Sequence, residues 1–580
     1  MTSRVLTDRV RVASLVLGVC GVGGMALAQT GSVRSGGQGV PYRNEPGRFT
    51  LVGMPDTQNY SEFYPEIYEA QTRWIAENRH GQNIKFVSHY GDVVNHGDRD
   101  NEWRNARRAM DTLDRAGVAY GVTAGNHDVT PSGSAGSPYI QQKYLEYFGP
   151  QRYAGQSWYK GASPSGMSNY QTFAGGGREF LIMHLEVDTP VRELAWAQGV
   201  LNQNRDKPTI ITTHRYLQDA EDYTGGVPVV PSGRYPGVWY NFEGIYADGG
   251  IQTEELWNSF MRVNKQVFMV NCGHFHEEFR QTSTNLHGLP VHEVLADYQD
   301  DPNGGDGWLR LMQFDTAAKR IDVETYSPTR NEFRTADESR FSLSVDFDRY
   351  ATRNSLSFHQ GINGYQGAKD TWIDENRRDT SFGNDATFDV DDDTTNSVFN
   401  DRRGQGLVRF DDIISSTGEA NKIPAGATIT SATLRLVFED DVDSPFSDPG
   451  FFVYMMTRDW SENSTWNSVS GGLTPGADYG SLVGVLAGDN NPDADAWRVL
   501  DVRAAVQAWV NGQANFGFAL IPEIISGNDD GITVWSSEAG NILYRPVLDV
   551  TWTMNIPAPG LTLWLGAGLL GLSRTPRRRM

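Results

Sequence analysis

Side chains that bind divalent metal ions follow five strand-like apolar segments of this sequence. In chain order, these blocks are Asp56-Thr57-Gln58, Gly91-Asp92, Gly125-Asn126-His127-Asp128, His214 and Gly273-His274-Phe275-His276. Parallel strands present their carboxyl ends at one edge of a sheet, so we expect the five loops to converge there. Carboxylate, carboxamide and imidazole groups are common ligands of divalent metals. The blocks therefore predict a site for metal and phosphate.

The order of the blocks carries more weight than any one of them. The tetrad Gly125-Asn126-His127-Asp128 alone is equally compatible with a plain turn after a strand. The ordered set resembles the signature of the calcineurin-like metallophosphoesterase superfamily, which runs Asp-x-His, Gly-Asp, Gly-Asn-His-Asp, His and Gly-His-x-His. This resemblance covers residues 49–347. It implies an α/β domain in which central β-sheets are flanked by helices.

The resemblance also implies a centre with two divalent ions. The residues implied for the first ion are Asp56, Gln58, Asp92 and His276. Those implied for the second are Asp92, Asn126, His214 and His274, so that Asp92 bridges the pair. Two such ions, about 3.5 to 4 Å apart, clamp a phosphoryl group and lower the pKa of a water molecule between them.

Two residues are implied to act on the substrate side of this centre. His127 would protonate the leaving oxygen or steady the phosphoryl oxygens, as an imidazole can near neutral pH. Asn95 stands three residues after Asp92, where many members of the superfamily have an Asp that orients this His. Purple acid phosphatases have an iron-binding Tyr at that position, so Asn95 excludes their purple centre.

Gln58 departs from the family pattern, which usually has His at this position. A carboxamide oxygen is a harder donor than an imidazole nitrogen, which favours Mn²⁺ or Mg²⁺ over Zn²⁺. We therefore expect two divalent ions chosen from Mn²⁺, Mg²⁺, Fe²⁺ and Zn²⁺, with Mn²⁺ favoured. The remaining histidines of interest are interpreted as strand or loop residues: His89, His96, His184 and His292.

The first 28 residues have the composition of an export signal. Arg4, Arg9 and Arg11 precede an apolar stretch, and Ala26-Leu27-Ala28 forms a small-x-small cleavage site. A flexible Gly- and Ser-rich lead-in is predicted for residues 29–48. Once the signal is removed, Cys272 is the only cysteine, so neither an internal disulfide nor a cysteine-based zinc site is expected.

The remaining chain is long enough for two domains. Residues 49–348 alternate strand-like and helix-like segments, which predicts a layered α/β domain. Helices are predicted at Pro65–Asn78, Asn101–Ala116, Arg192–Asn204 and Thr253–Val263. The formal net charge of -22 disfavours nucleic acid as the main partner, because an acidic surface repels a phosphate backbone.

Short β-rich segments between turn residues predict an all-β, jelly-roll-like sandwich over residues 355–553. Its segments at Gly406–Asp411, Ala432–Leu436 and Tyr544–Val550 resemble modules of the DNRLRE type, which are similar to carbohydrate-binding families. An extracellular glycan is therefore a possible partner. Four tryptophans are interpreted as core residues, with sugar stacking as the alternative: Trp460, Trp466, Trp497 and Trp535. A structural Ca²⁺ is an open alternative to a solvated acidic loop at four aspartates: Asp389, Asp391, Asp392 and Asp393.

Residues 556–580 resemble a PEP-CTERM sorting tail. Pro557-Ala558-Pro559 precedes the apolar run Gly560–Leu572, and arginines follow. The run is shorter than the roughly 20 residues of a comfortable transmembrane helix, although a marginal membrane anchor remains the alternative. The tail predicts an exosortase-type sorting enzyme as a partner and a location at the surface or in the extracellular matrix of a Gram-negative-type bacterium.

These features together predict an exported dinuclear-metal phosphoesterase that acts on a phosphorylated substrate. One alternative keeps the same site but makes the protein a phosphodiesterase or pyrophosphatase. Another alternative is a surface glycan-binding protein whose phosphoesterase domain is inactive. The nearly complete ligand set argues against the last interpretation.

Overall fold

The computed structural model describes residues 45, 47–129, 141–219, 221–224, 227–230, 232–235, 250–393, 402–439, 450–487, 496–523 and 532–554. The export signal, most of the lead-in and the sorting tail lie outside the described residues and stay predictions. No helix in the described part of the chain has both the length and the apolar character needed to cross a membrane.

The N-terminal domain alternates strands and helices. Its strands are β1 (Arg48–Met54), β2 (Ile84–His89), β3 (Tyr120–Val122), β4 (Tyr159–Ala162), β5 (Asn169–Gly175), β6 (Arg178–His184), β7 (Thr209–Thr212), β8 (Leu217–Gln218), β9 (Glu221–Thr224), β10 (Val227–Val230), β11 (Gly233–Arg234), β12 (Val267–Cys272), β13 (Glu277–Thr284), β14 (Pro290–Asp297), β15 (Leu309–Asp315), β16 (Arg320–Ser327), β17 (Glu332–Phe333) and β18 (Arg340–Ser344). Its helices are α1 (Gln58–Glu62), α2 (Pro65–Asn78), α3 (Asp100–Ala116), α4 (Asn126–Val129), α5 (Gln141–Phe148), α6 (Val191–Gln203), α7 (Thr253–Leu256) and α8 (Pro302–Gly305).

Two sheets face each other in this domain. The first has the strand order β17-β16-β15-β1-β2-β3, with β18 paired to β16, and the second has the order β13-β14-β12-β7-β6-β5-β4. Strands β1, β2 and β3 are parallel, as are β6, β7, β12 and β14. Aromatic side chains fill the space between the sheets, where the rings of Phe49 and Phe180 lie 5.4 Å apart.

Helices cover the outer face of each sheet. In α3, Trp103, Ala106, Met110 and Leu113 form a buried stripe at helical spacing, and they pack with α2 on the first sheet. Helix α6 packs on the second sheet. The helix, sheet, sheet, helix arrangement confirms the predicted layered α/β fold.

One predicted helix has a different form in the structure. The α-helix that begins at Thr253 ends at Leu256 and continues as a π-helical turn over Trp257–Met261, instead of reaching Val263. The Ser259 hydroxyl donates a 2.7 Å hydrogen bond to the Glu255 carbonyl, four residues earlier. Such a bond competes with the regular helical ladder, which accounts for the widened turn.

The C-terminal domain is an antiparallel β-sandwich, which confirms that part of the prediction. Its strands are β19 (Ser355–His359), β20 (Ala368–Asp374), β21 (Thr387–Asp393), β22 (Arg402–Phe410), β23 (Ile414–Ser415), β24 (Ile423–Pro424), β25 (Thr428–Phe438), β26 (Phe451–Met456), β27 (Tyr479–Leu486), β28 (Ala496–Asp501), β29 (Phe518–Pro522), β30 (Ile532–Trp535) and β31 (Val547–Thr553). One helix, α9 (Arg503–Val510), packs against β25. Strand β21 joins the two layers, because its first half pairs with β30 and its second half with β22.

The sandwich decides between core and sugar stacking for three of the four tryptophans and leaves the alternative open for Trp535, which is partly buried. Trp460, Trp466 and Trp497 are each less than 10% exposed, so their faces contact the core and do not offer a platform for sugar. Residues Asp389–Asp393 belong to strand β21. The expected acidic loop is therefore a strand, and the Ca²⁺ site stays a prediction.

The sandwich packs on the helix layer of the second sheet. The Asp549 carboxylate of β31 lies 2.9 Å from Arg205, which follows α6, and 2.8 Å from Arg435 of the sandwich. Val263 of the N-terminal domain shares a buried apolar cluster with Val547. The two domains therefore contact each other through a buried ion pair and an apolar core.

Asp549→Asn should destabilise the protein, since the substitution leaves two cationic side chains facing an amide at a buried position. We expect the free energy of unfolding at pH 7 to fall by about 3 kcal/mol. Burial would raise the pKa of Asp549, but Arg435 and Arg205 outweigh burial and hold the pKa well below its usual range. The contribution of the carboxylate is thus complete above the unfolded pKa of about 3.9 and is lost as the pH falls through the lower folded pKa.

Denaturant unfolding of both proteins between pH 3 and pH 8 measures this effect, and the difference between them should shrink only below about pH 4. Asp348→Asn is the control, because Asp348 forms an ion pair with Arg178 but its side chain is 76% exposed. An Asp549→Asn protein no less stable than the control would show that the interdomain ion pair does not stabilise the fold.

Candidate metal centre

The five sequence blocks lie at the carboxyl ends of five strands from the two facing sheets. Asp56 follows β1, Asp92 follows β2 and Asn126 follows β3, all in the first sheet. His214 follows β7 and His274 follows β12, in the second sheet. The blocks therefore converge from both sheets on one edge of the domain, as the rule for parallel strand ends predicts.

Asp92, His214 and His274 form the centre of the site. Each offers one potential ligand atom, and these atoms lie within 4.8 Å of one another. The His214 Nε2 atom is 3.2 Å from Asp92 Oδ2 and 3.0 Å from Asn126 Oδ1. His214 Nδ1 donates a 3.0 Å hydrogen bond to the Tyr90 carbonyl, which directs Nε2 toward the other ligands.

The protonation preferences of Asp92 and His274 suit metal binding, whereas the nearby Asp92 raises the pKa of His214 against the effect of burial. Burial raises the pKa of Asp92, but the imidazoles of His214 and His127 outweigh it and bring the pKa well below its usual range. Removal from water, with His214 nearby, lowers the pKa of His274 well below that of a free imidazole. A carboxylate and a neutral imidazole are the forms that bind metal.

Asp56 and Gln58 place further oxygens beside this cluster. The Asp56 Oδ2 atom accepts a 3.2 Å hydrogen bond from the His274 backbone N–H. Within the described chain, no hydrogen-bond donor reaches Asp56 Oδ1 or Gln58 Oε1, although both atoms are buried. Buried acceptors without donors are costly unless a cation satisfies them, so these residues fit a metal centre.

His276 joins the site less directly than the other predicted ligands. Its Nδ1 atom donates a 2.6 Å hydrogen bond to Asp300 Oδ2, and its Nε2 atom contacts the side chain of Gln299. Gln299 also contacts the carboxamide of Gln58. Gln58 and His276 therefore both contact Gln299, whereas Asp92, Asn126, His214 and His274 belong to the cluster described above.

Residues 50–278 match the calcineurin-like phosphoesterase family, and residues 363–551 match carbohydrate-binding module family 96. The N-terminal domain is a calcineurin-like phosphoesterase domain. Domains of this family use dinuclear metal centres, in agreement with the donor set described above. The DNRLRE assignment of the sandwich and the PEP-CTERM assignment of the tail stay predictions.

Two known proteins are similar to parts of this chain. The uncharacterized protein YvnB of Bacillus subtilis strain 168 is 34% identical over 310 residues, which are 51% of this chain and 22% of YvnB. The match thus spans about a fifth of the length of YvnB. The structure of purple acid phosphatase PPD1 from yellow lupin seeds has 14% sequence identity and a TM-score of 0.32, over 53% of this chain and 56% of that chain.

His127 lies beside Asp92 and is held by hydrogen bonds of its backbone and of its ring. Its backbone N–H donates a 2.9 Å hydrogen bond to Asp92 Oδ1, which connects the loop to the metal ligands. Its Nδ1 atom donates a 2.8 Å hydrogen bond to the backbone carbonyl of Asn95. This hydrogen bond fixes the orientation of the ring and leaves Nε2 on the opposite side from the Asn95 carbonyl.

Asn95 holds His127 through its backbone and not through its side chain. The Asn95 side chain donates a 2.5 Å hydrogen bond to Glu62 Oε2. The buried Glu102 carboxylate accepts 2.9 Å hydrogen bonds from the backbone N–H groups of Asn95 and His96. The family pattern implies that the side chain at this position orients His127. Here the backbone carbonyl of Asn95 has that role, and Glu62 and Glu102 hold Asn95 in place.

Asp128 secures the loop that carries Asn126 and His127. Its carboxylate accepts hydrogen bonds of 2.8 Å from Gly125 N–H and 3.1 Å from Val94 N–H. Burial and the nearby Asp92 raise the pKa of Asp128 to about 8. Asp128 therefore connects two ligand loops, a role that the sequence pattern alone did not assign.

The histidines outside the blocks have structural contacts. His89 lies in β2 and His184 in β6, and burial lowers the pKa of each to about 3. The His292 ring contacts the Thr282 hydroxyl and the Ser344 carbonyl. His96 lies 3.0 Å from the Glu102 carboxylate, behind the loop of His127. These positions agree with their interpretation as strand or loop residues.

Gly125→Ala should disturb the phosphoesterase centre, because a Cβ atom at Gly125 would lie 2.2 Å from Asp92 Oδ1. The carboxylate would have to move, and a shift of about 1 Å at a catalytic centre can cost about 10²-fold in rate. We expect a loss of that size in kcat/KM on a chromogenic phosphate ester and a weaker affinity for Mn²⁺. Gly540→Ala is the matched control, because its Cβ would meet no atom within 4 Å. Equal activity of the two variants would contradict this packing argument.

Proposed function

We propose that this protein is an exported, metal-dependent phosphoesterase that hydrolyses a phosphate ester at the cell surface. The observation that carries the proposal is the convergence of Asp92, His214 and His274 within 4.8 Å, with His127 hydrogen-bonded to Asp92 beside them. This nearly complete set of metal ligands argues against an inactive domain.

The residues proposed to hold the first ion are Asp56, Gln58, Asp92 and His276. Those proposed for the second are Asp92, Asn126, His214 and His274. When bound, two divalent ions supply charge neutralisation at the phosphoryl oxygens and acidify water. The oxygen-rich first position supports Mn²⁺ or Mg²⁺ over Zn²⁺.

His127 is proposed to act as the general acid. With Nδ1 donating to the Asn95 carbonyl, the protonated ring presents its Nε2–H to the leaving oxygen. Glu102 holds the backbone of Asn95 and so keeps that carbonyl in place. The proton is therefore proposed to leave from His127 Nε2, because Nδ1 is bonded to the Asn95 carbonyl.

The proposed location and partners rest on sequence features and on the family of the sandwich. The predicted export signal and sorting tail support secretion, processing by an exosortase-type enzyme and attachment to the surface or extracellular matrix of a Gram-negative-type bacterium. The match of residues 363–551 to a carbohydrate-binding module supports a glycan as the ligand of the sandwich. The same match favours the second candidate function, a surface glycan-binding protein without turnover.

Hydrolysis assays with defined metals separate these functions. Metal-free protein is tested with a nitrophenyl monoester, a nitrophenyl diester and pyrophosphate, each with Mn²⁺, Mg²⁺, Zn²⁺ or Fe²⁺. We expect Mn²⁺-dependent turnover that a chelator abolishes, and the preferred substrate distinguishes the monoesterase from the diesterase and pyrophosphatase alternatives. Metal-loaded protein that hydrolyses none of the three would overturn the enzyme proposal and leave the glycan-binding candidate.

A further inference from the structure

A sixth loop reaches the edge of the sheet where the metal centre lies. Strand β14 runs parallel to β12, so its carboxyl end lies beside that of the strand that precedes His274. The residues at this end are Asp297-Tyr298-Gln299-Asp300. Like the five blocks, they lie at the carboxyl end of a strand.

Asp297 places a second buried carboxylate against Asp56. Its side chain is 1% exposed, and its Oδ1 atom accepts a 2.9 Å hydrogen bond from the Gln299 backbone N–H. Asp297 lies close enough to Asp56 that its charge adds to burial in raising the pKa of Asp56. Among the described residues, no donor reaches Asp297 Oδ2 or Asp56 Oδ1. Adjacent buried carboxylates of this kind are costly unless a cation joins them.

Gln299 and Asp300 contact the other residues proposed for the first ion. The Gln299 side chain lies between the Gln58 carboxamide and His276 Nε2 and contacts both. Asp300 accepts the hydrogen bond from His276 Nδ1, so Nε2 is the ring nitrogen on the side of Gln299 and Gln58. The sixth loop thus contacts Asp56, Gln58 and His276.

We propose that Asp297 is a ligand of the first metal ion, and that Gln299 and Asp300 position Gln58 and His276 around it. This inference rests on the proposed function, because it takes the dinuclear centre as given. With Asp297 included, the first position has the carboxylates of Asp56, Asp92 and Asp297 together with the Gln58 carboxamide. Such an oxygen-rich set selects hard ions such as Mn²⁺ over Zn²⁺.

The test compares wild-type protein with Asp297→Asn by counting bound Mn²⁺ after dialysis at a fixed free concentration. We expect two ions in the wild type and about one in the variant. Thermal unfolding with chelator and with Mn²⁺ provides a second readout. The variant should be at least as stable as the wild type without metal, because it removes one of two facing carboxylates, and should gain less from Mn²⁺. A purely structural Asp297 would instead lower stability in both conditions.

Further variants address positioning and folding. Gln299→Ala should bind Mn²⁺ at the first position about 10- to 100-fold more weakly, the usual effect of removing a residue that orients a ligand. Asp306→Asn is the control, since Asp306 pairs with Arg330 and lies outside the ligand set; it should keep two ions.

The outcomes separate this inference from the proposed function. An active wild type with an Asp297→Asn variant that retains two ions at wild-type affinity would overturn the role of Asp297 and leave the phosphoesterase proposal intact. A wild-type protein that binds no divalent ion would overturn both.

Discussion

Asp92→Asn should remove bound metal and phosphoesterase activity together. Asp92 is buried and contacts both His214 Nε2 and the His127 backbone N–H, so one carboxylate connects the ligand cluster to the proposed acid. An amide supplies less negative charge to hold two dications. Metal ions contribute several kcal/mol of transition-state stabilisation, so we expect kcat/KM to fall by about 10³-fold or more.

The substitution is conformationally mild, which makes the result easy to interpret. Asp92 has a φ of 45°, in the left-handed region that Asn adopts as readily as Asp. Elemental analysis and kinetics on the same samples measure the effect, and Asp370→Asn in the sandwich is a buried-aspartate control. If Asp92→Asn retained both ions at wild-type affinity, Asp92 would not be the bridging ligand.

His127→Ala should keep the metals and lose turnover. Alanine retains the backbone N–H that bonds Asp92, while it removes the imidazole that the Asn95 carbonyl orients. A placed general acid contributes about 10² to 10⁴-fold, so kcat on alkyl phosphates should fall by that factor. Nitrophenyl esters need little protonation of their leaving group, so their loss should be smaller.

Matched kinetics on alkyl and nitrophenyl esters, with metal analysis, test the assignment. His80→Ala is the control, because His80 is exposed and lies outside the ligand blocks. Loss of a metal ion from His127→Ala, or an equal penalty on both leaving groups, would show that His127 is not the general acid.

The parts of the site that sequence could predict are those with a local signal. Asp56, Asp92, Asn126, His214 and His274 each follow a strand-like run, so the strand-end rule was enough to expect them at one edge. The apolar stripe of α3 likewise predicted that helix to within one residue of its observed start. Both signals depend only on neighbours in the chain.

The parts that sequence missed depend on tertiary contacts. Nothing near Asp297 in the chain indicates that it faces Asp56, because that contact arises from the packing of β14 at the edge shared with β1. The identity of Asn95 suggested a side-chain role, whereas the structure uses its carbonyl, which every residue type has. In the sequence, Glu102 is an ordinary acidic residue in the first turn of a helix. In the structure, its carboxylate holds the backbone of Asn95.

The contact between the domains can form only after the last strand of the sandwich has been synthesised. Val263 belongs to the phosphoesterase domain, but its apolar cluster includes Val547 from the last strand of the sandwich. That strand emerges roughly 280 residues later, which corresponds to roughly 15 to 60 s of synthesis at 5 to 20 residues per second. Until that strand is made, Val263 lacks one of the residues that cover it, so the incomplete apolar cluster is open to aggregation and to chaperone binding.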